Sequence, residues 1–389
     1  MRIATGSGHA HRAWVLPATR FSWLFATQFF ALGAAMPFIP VALAGGGLSP
    51  EWVGVVLAVG TAVRLGAGLI SAKIAEFTGV RAVLVTGSVV AGLTLPGLAL
   101  VEGVFLLLLV QITHGIAVAP IVPLSDAAAV AETRSRGFDY GRVRAWGSVA
   151  FIVGAVLAGQ GVAWAGPLVA LSLAGAALLG TGIVASGLAA RPGRMEKVRT
   201  SLWAPLKVSG FPRLLLCSAL IQGSHAVYYG FSALHWRDAG LSSGLIGALW
   251  AWGVLAEVLL FAFGGSVAHR LGPRGLALLA GTCGIIRWSV TGLTFDVPTL
   301  FAAQTLHAAT FGAMHLAAIR VMASLPFSLG AHAQSLHSAL GVGLASGLMM
   351  LVSGPLYAAL GGQAFLVMSV VCVLGLIAAA GLPFSGPAR

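Results

Sequence analysis

Long apolar runs separated by short polar connections extend along almost the whole chain. Each run is about 20 residues long, which is enough for an α-helix to cross the hydrocarbon core of a bilayer. The pattern predicts six such helices before a basic stretch in the middle of the chain and six after it. The predicted spans, numbered 1 to 12, are residues 21–44, 52–74, 82–101, 104–130, 142–164, 167–190, 213–236, 243–268, 275–295, 298–324, 333–357 and 363–384.

The second six spans repeat the first six without gaps, 193 positions later. The matching groups are Gly47-Leu48-Ser49 with Gly240-Leu241-Ser242, Ala75-x-x-x-Gly79-x-Arg81 with Ala268-x-x-x-Gly272-x-Arg274, and Gln111-x-x-His114 with Gln304-x-x-His307. In the same register Arg64 corresponds to Glu257, so an ionisable position inside an apolar run is kept and its charge is inverted. The sequence therefore predicts an all-α membrane protein of twelve transmembrane helices in two parallel six-helix repeats.

The repeat also predicts the domain organisation. Residues 1–190 form an amino-terminal half, residues 213–389 form a carboxy-terminal half, and a basic linker of residues 191–212 joins them. Prolines should interrupt spans 1, 3 and 4, because proline lacks a backbone N–H and clashes with the preceding turn. These prolines are Pro37, Pro40, Pro96, Pro120 and Pro123.

Composition and charge support a membrane protein. The chain is 58% apolar and 8% charged, whereas about a quarter of the residues of a soluble domain are charged. The net charge of +12 does not indicate nucleic-acid binding, because the basic residues gather at the amino terminus, in the 2–3, 4–5 and 8–9 connections and in the linker. The positive-inside rule then places both termini and the linker in the cytoplasm. Contact with anionic lipid headgroups is a further expected use of these bases.

Few ionisable residues lie inside the predicted spans, and each is a functional candidate because a charge in the bilayer is costly. Several fall at helical spacing with other polar residues. The resulting stripes are Gln111, His114 and Val118 in span 4, Gln222, His225 and Tyr229 in span 7, and Gln304, His307, Phe311 and His315 in span 10. We expect them to face a shared aqueous cavity or one another. The alternative is that they serve only as hydrogen-bonding partners between helices.

Glu257 is the leading candidate for proton coupling, because a carboxyl group in the membrane can load and release a proton. Arg287 in span 9 would make a tunable pair with it, and the alternative is a static ion pair. Asp126 in span 4 is a second candidate, or else pairs with the bases of span 5. Arg64 has no acid of its own half at its depth, and its fork suits a carboxylate, so it is a candidate anchor for an anionic substrate.

No enzyme, metal or cofactor motif is present. The chain has no H-E-x-x-H sequence, no phosphate-binding loop and no G-x-S-x-G with triad partners. Its histidines have no cysteine or acidic partners at ligand spacing. We predict neither an enzyme nor a metal or cofactor site.

The architecture resembles the major facilitator superfamily, whose carriers have two parallel six-helix halves. The connections after spans 2 and 8 resemble that superfamily's cytoplasmic G-x-x-x-D-R-x-G-R-R turn. Here they are Ala72-Lys73-Ile74-Ala75-Glu76-Phe77-Thr78-Gly79-Val80-Arg81 and Gly265-Ser266-Val267-Ala268-His269-Arg270-Leu271-Gly272-Pro273-Arg274. The chain departs from the pattern at the acid position, where it has Glu76 and His269, and at Phe77.

Other motifs resemble a narrower group, the 3-phenylpropionic acid transporters. The most specific is Gln222-Gly223-Ser224-His225-Ala226-Val227-Tyr228-Tyr229-Gly230-Phe231-Ser232. The others are Pro123-Leu124-Ser125-Asp126-Ala127, Asp139-Tyr140-Gly141-Arg142-Val143-Arg144-Ala145-Trp146-Gly147-Ser148, Ala256-Glu257-Val258, Ile286-Arg287-Trp288 and His315-Leu316-Ala317-Ala318-Ile319-Arg320. The resemblance implies an aromatic monocarboxylate as substrate, with which Arg64, Tyr228, Tyr229 and Trp236 are compatible.

The chain is also similar to lactose permease, which has an acid in helix 4, an arginine in helix 5, an acid in helix 8, an arginine in helix 9 and a His–Glu pair in helix 10. The matching residues are Asp126, Arg144, Glu257, Arg287 and His315. Span 10 has no glutamate, so Glu257 or a histidine must carry the proton if coupling is by protons.

We therefore predict a monomeric, proton-coupled secondary transporter of the inner membrane that imports a small organic solute, such as 3-phenylpropionate. Its expected partners are that substrate, protons and membrane lipid. The predicted substrate-binding residues are Arg64, Gln111, His114, Gln222, His225, Tyr228, Tyr229, Gln304 and His307, and the predicted coupling residues are Glu257, Arg287, Asp126, Arg144 and His315. Nucleoside uptake, sugar uptake and drug efflux remain open, as does a membrane receptor or sensor that no longer transports.

Overall fold

The computed structural model describes residues 7–189 and 201–383, and every regular element in these two stretches is a helix. The helices are numbered α1 to α12 after the spans, and the pieces of an interrupted span share one number. The first half contains α1 (Ser7–Ala35 and Ile39–Gly45), α2 (Pro50–Thr78), α3 (Val80–Thr94 and Gly97–Leu100), α4 (Val104–Val118 and Ile121–Arg136), α5 (Tyr140–Ala165) and α6 (Pro167–Ser186).

The second half follows the same plan. It contains α7 (Phe211–Gly223 and Ala226–Asp238), α8 (Ser243–Phe263), α9 (Gly265–Leu293), α10 (Val297–Thr305, Ala308–Ala313 and Met314–Ala323), α11 (Phe327–Leu336, His337–Leu344 and Ala345–Leu360) and α12 (Ala364–Ala380). Short 3₁₀ helices at Ala204–Lys207 and Gly361–Gln363 precede α7 and α12. Residues 190–200, which include the first ten residues of the predicted linker, lie outside the described residues.

The prediction of an all-α membrane protein is confirmed. In the described part of the chain, ten helices are long and apolar enough to cross a membrane. This count differs from the twelve predicted spans in two places. The two pieces of α7 are only 13 residues each, and α11 and α12 form one apolar run, Phe327–Ala380.

Prolines interrupt the three helices in which the sequence predicts a kink. The helical path of α1 stops at Ala35 and restarts at Ile39, around Pro37, and α3 and α4 break at Pro96 and Pro120. The break of α7 at Ser224, which involves no proline, is not predicted by the sequence. Neither are the π-helical segments of α10 (Ala308–Ala313) and α11 (His337–Leu344).

The internal repeat reappears in the backbone. Gly47 and Gly240, which are equivalent in the 193 register, have φ values of 86° and 90° before α2 and α8. Gly79 and Gly272 have φ values of 86° and 62° before α3 and within the first part of α9. Only glycine adopts such values at little cost, which explains its recurrence at these turns. The two ends of the bundle are named below by these pairs, the Gly47/Gly240 end and the Gly79/Gly272 end.

The halves share one hydrophobic core near the Gly47/Gly240 end. Phe38 of α1 and Phe231 and Trp236 of α7 belong to the same buried cluster. Towards the Gly79/Gly272 end, the buried residues form two clusters, each confined to one half; Phe25 belongs to the first and Met314 to the second. The halves are therefore packed together at one end and have separate cores at the other.

Glycines allow the close approach of the halves at the packed end. A Cβ atom on Gly54 of α2 would lie 2.9 Å from the Cα atom of Gly354 in α11. A Cβ atom on Gly247 of α8, the equivalent position, would collide with the carbonyl oxygen of Ala155 in α5. The α2–α11 and α5–α8 contacts thus follow the same repeat and rely on backbone-to-backbone packing.

Candidate functional site

Two cavities lie between the halves, on either side of a shared wall of Leu32, Met36 and Tyr229. The first, the Arg64 cavity, has a volume of about 310 Å³, and the second, the Glu257 cavity, about 390 Å³. Both volumes lie at the small end of the range for pockets that hold organic ligands. The two positions whose charge is inverted by the repeat therefore each line a cavity.

The guanidinium group of Arg64 is accessible in its cavity and has only neutral partners. Its Nε donates to the carbonyl oxygen of Gly60 at 3.1 Å, and Nη2 lies 3.5 Å from the hydroxyl oxygen of Thr61. No carboxylate of residues 7–189 or 201–383 lies within 4.0 Å of it. The helix backbone thus orients a cation that keeps donors available for an anionic ligand.

His114 also lines the Arg64 cavity, and its ring is anchored on α3. Its Nδ1 lies 3.1 Å from the carbonyl oxygen of Ala91 and 3.3 Å from the hydroxyl oxygen of Thr94. The Ala91 carbonyl can only accept a hydrogen bond, so Nδ1 carries the proton and Nε2 of the neutral ring is an acceptor. Gln111 completes this side, with its amide against Gly60 of α2.

Aromatic rings surround the Glu257 cavity. Tyr228 and Trp250 stack with their centroids 4.7 Å apart, and Tyr229 lies 5.9 Å from Trp250. Phe29, Phe151 and Phe311 line the remaining walls. Such walls suit the flat face of an aromatic ligand.

Arg144 brings a positive charge from α5 to the Glu257 cavity. Its guanidinium carbon lies 3.9 Å from the centroid of the Phe29 ring, and its Nε lies 3.7 Å from Oδ1 of Asp126. The same Oδ1 accepts a hydrogen bond from the Tyr140 hydroxyl at 2.9 Å. Asp126 is thus paired with a base of α5, the arrangement that the sequence offers as its structural alternative.

Glu257 and Arg287 are not in direct contact, which corrects the pair expected from the sequence. His307 lies between them. Its Nδ1 accepts a hydrogen bond from Nη1 of Arg287 at 3.0 Å, and its Nε2 lies 3.3 Å from Oε2 of Glu257. Because Arg287 can only donate, the neutral ring carries its proton on Nε2 and donates it to the carboxylate.

Arg287 is fully buried at 0% exposure and, among the described residues, has no carboxylate within 4.0 Å. Nη2 donates to Oε1 of Gln304 at 2.7 Å, and Nη1 also donates to the hydroxyl of Thr310 at 3.1 Å. Its guanidinium carbon lies 4.6 Å from the Tyr228 ring centroid and 4.5 Å from that of Trp288. Neutral acceptors and ring faces thus solvate this buried cation.

The network continues to His225 at the break of α7. Thr310 lies 3.2 Å from Nε2 of His225, whose Nδ1 donates to the carbonyl oxygen of Ile221 at 3.1 Å. Since Nδ1 carries the proton, Nε2 accepts from the Thr310 hydroxyl. A continuous chain of hydrogen bonds therefore links α7, α9 and α10 and ends at Glu257 on α8.

The sequence predicts that the polar stripes face a shared cavity or one another, and α7 and α10 show the second arrangement, because His225 contacts His307 and Thr310. Gln222, His225 and Gln304 are 5%, 1% and 0% exposed, and none of the three lines either cavity. Tyr229 and His307 do line the Glu257 cavity, and Tyr229 lines both cavities.

Two further residues lie away from the cavity walls. His315 is set between the rings of Phe261 and Phe311, with centroids 6.5 Å away in each case. Trp236, offered as a contact for an aromatic substrate, is fully buried in the shared core.

Sequence reasoning missed Thr94 and Thr310. Thr94 is equivalent to Arg287 in the 193 register, and both contact the equivalent histidines His114 and His307. Extension of the repeat to position 94 would have identified it. Nothing in the sequence marked Thr310 as functional, because an isolated threonine in an apolar helix is common.

Two carboxylates at the starts of helices, Glu51 and Asp296, have lowered pKa values. A hydrogen bond from Ser49 lowers the pKa of Glu51 at the start of α2. Hydrogen bonds from the side chain and backbone of Thr299 lower the pKa of Asp296, which caps α10. These two groups favour the start of a helix in their charged form and are poor candidates for proton uptake.

Comparison with known proteins identifies a family. The sequence profile of the MFS_1 like family matches residues 19–367. The chain is 37% identical to the "Probable 3-phenylpropionic acid transporter" of Escherichia coli (strain K12), over 92% of this chain and 96% of that protein. It is 26% identical to "Maltose permease" of Geobacillus stearothermophilus, over 92% and 93% of the two chains.

Solved structures show the same fold. The nucleoside transporter NupG matches with a TM-score of 0.82 at 15% identity, over 94% of this chain and 98% of NupG. A bacterial homolog of the human lysosomal transporter Spinster, in an inward-facing and occupied conformation, matches with a TM-score of 0.67 at 15% identity, over 95% of each chain.

Proposed function

Since the chain belongs to the MFS_1 like family and is a multi-pass membrane transporter, we propose that it couples the uptake of a small aromatic monocarboxylate to protons. We assign it to the inner membrane, as a monomer, with the Gly79/Gly272 end and both termini in the cytoplasm. Residues 1–190 and 213–389 act as the two rocking halves, with the linker 191–212 between them.

The surroundings of Arg64 are the observation on which the proposed substrate rests. Arg64 is a cation without a carboxylate partner among the described residues, and it lines a cavity of about 310 Å³ between the halves. A substrate carboxylate supplies the missing charge in a bidentate contact. The other walls of this cavity are mostly apolar, including Leu95, Val118 and Ile121. The E. coli relative is named for 3-phenylpropionic acid, an acid of this type.

The contact of Glu257 with His307 carries the proposal for coupling. A buried cation is costly unless a negative charge compensates it. Ionised Glu257 compensates Arg287 through one imidazole ring, and protonation of Glu257 removes that compensation. Proton binding on α8 therefore changes the electrostatic balance of the buried network on α9 and α10. Such a network can favour different packings of the two halves in the two protonation states.

A second candidate substrate is an uncharged, hydroxylated solute such as a nucleoside or sugar. The Asp126–Arg144 pair favours it, because this pair offers an acceptor and donors beside the aromatic Glu257 cavity. The maltose permease relative and the fold of NupG agree with this alternative.

Uptake by purified full-length protein in proteoliposomes distinguishes these functions. The labelled solutes are 3-phenylpropionate, a nucleoside and maltose, each with and without an inward proton gradient. We expect accumulation of the aromatic acid only with the gradient. Accumulation of the nucleoside or maltose instead would support the second candidate, and no transport of any tested solute would contradict the proposal.

A further inference from the structure

The equivalent histidines His114 and His307 have opposite hydrogen-bonding surroundings. Nδ1 of His114 lies against two oxygens of α3, whereas Nδ1 of His307 lies against a guanidinium nitrogen of Arg287 on α9. The Thr94 hydroxyl donates to the carbonyl oxygen of Val90 at 2.8 Å, so it meets His114 as an acceptor.

Opposite neutral tautomers follow from these partners. His114 carries its proton on Nδ1 and has an unprotonated Nε2, while His307 carries its proton on Nε2. The tautomer of His307 suits the Glu257 cavity, because its Nε2 lies 3.3 Å from the carboxylate of Glu257 and donates to it. In the other half the charge at the corresponding position is inverted, and Arg64 is a donor. The Arg64 cavity therefore contains a cationic donor and a neutral acceptor.

We propose that His114 is a specificity-determining residue, whose Nε2 accepts a hydrogen bond from a hydroxyl group of the substrate. Arg64 binds the carboxylate of the same molecule. The substrate class is then a hydroxylated aromatic monocarboxylate. This inference rests on the proposed function and names a chemical group that the function alone does not require.

Two other donors in the walls of the cavity have hydrogen-bond partners other than His114. Nε2 of Gln28 donates to the hydroxyl of Ser125 at 2.8 Å, and the Thr61 hydroxyl donates to the carbonyl oxygen of Leu57 at 3.0 Å. In the described part of the chain, Nε2 of His114 has no hydrogen-bond partner. A bound acid without a hydroxyl would exclude water from this nitrogen without replacing its hydrogen bond, and a site of this kind discriminates against it.

Two substitutions distinguish the roles of Nδ1 and Nε2 of His114. His114→Asn places an amide N–H near the position of Nδ1, where it can still donate to Ala91, and removes the acceptor at Nε2. His114→Gln extends an amide oxygen towards the position of Nε2 and is the matched control. Both proteins are compared with wild type as purified full-length chains in proteoliposomes, after their folding is checked by thermal unfolding.

The measured quantity is the ratio of KM for 3-phenylpropionate to KM for each of its ring-hydroxylated and chain-hydroxylated derivatives. We expect wild type to prefer at least one hydroxylated acid by about tenfold, the factor that one net hydrogen bond contributes. His114→Asn should reduce this ratio towards one, and His114→Gln should retain most of it.

Three results would overturn the proposal. Wild type could transport 3-phenylpropionate without preference for any hydroxylated derivative. His114→Asn could weaken both acids equally, in which case His114 only positions Arg64. Failure of wild type to transport any aromatic acid would overturn the proposed function together with this inference, whereas the first two results leave that function intact. If His114→Asn does not fold, the wild-type preference and the His114→Gln ratio still decide.

Discussion

The Nε2 atom of His307 lies 3.3 Å from Oε2 of Glu257, and the other ring nitrogen, Nδ1, contacts Arg287. A single imidazole therefore transmits the charge of a carboxylate to a buried guanidinium group that it does not touch. The two ionisable groups lie on α8 and α9, and the histidine lies on α10. A change in the charge of Glu257 thus alters the electrostatic interactions of groups on three helices of the same half.

Glu257→Gln should abolish accumulation against a gradient but retain counterflow. Glutamine nearly preserves the shape of the side chain and cannot bind or release a proton. Exchange lets a carrier return loaded, so it does not require the proton to cycle. Uptake driven by a pH gradient and counterflow with preloaded vesicles measure the two modes. Wild-type accumulation in the variant would falsify the coupling role, and equal loss of both modes would indicate a structural role.

Glu257 and Arg287 should be energetically coupled although they are not in contact. Arg287→Gln should destabilise the wild-type protein more than it destabilises the Glu257→Gln variant. In the wild type it leaves the carboxylate of Glu257 uncompensated, whereas the variant has no carboxylate at this position. We expect a coupling free energy of roughly 0.5–3 kcal/mol. Free energies of unfolding of the wild type, both single variants and the double variant, from denaturant titrations in detergent, give this value. Additive effects would show that His307 does not transmit the charge.

The sequence anticipated those features that depend on local composition. Apolar length identifies the spans, and Pro37, Pro96 and Pro120 interrupt their helices because any helix would lose a hydrogen bond there. The repeat register located Arg64 and Glu257 as equivalent positions. It requires only that the duplicated halves fold alike, as the equivalent turns at Gly47 and Gly240 show.

Helical periodicity does not predict which helices pack against a given face. The spacing shows that Gln222 and His225 share a face, but not that this face meets α9 and α10 rather than a cavity. The stripe from His307 to His315 also assumed α-helical geometry. The segment Ala308–Ala313 is π-helical instead, although the rings of His307, Phe311 and His315 still stack in series along it. Tertiary packing decides both features.

Arg64→Gln should raise KM for the aromatic acid roughly 10- to 100-fold, the range expected for loss of a hydrogen bond to a charged group. Arg64→Lys keeps the charge but not the planar fork, so its KM should lie between those of wild type and Arg64→Gln. Counterflow of labelled 3-phenylpropionate measures the KM of both variants without a proton gradient. Unchanged KM in Arg64→Gln would place the substrate carboxylate elsewhere, with Arg144 of the Glu257 cavity as the next cation to replace.

Gly247→Val should prevent the close packing of α8 on α5 and reduce transport. Any side chain at this position meets the backbone of Ala155 and lies 3.2 Å from the Cα atom of Gly159, and a backbone cannot rotate away as a side chain does. Overpacking of this kind costs roughly 1–3 kcal/mol. The state with the halves packed at the Gly47/Gly240 end should become less populated.

Spin labels at positions Trp164 and Asp238, introduced as cysteines after replacement of the three native cysteines, report on this end of the bundle. We expect a longer separation between the labels in Gly247→Val than in the labelled parent protein. Gly66→Ala is the control, because a Cβ atom there has no neighbour within 4 Å. An unchanged separation in Gly247→Val, with transport equal to that of Gly66→Ala, would mean that backbone contact between α5 and α8 is not required for closure at this end.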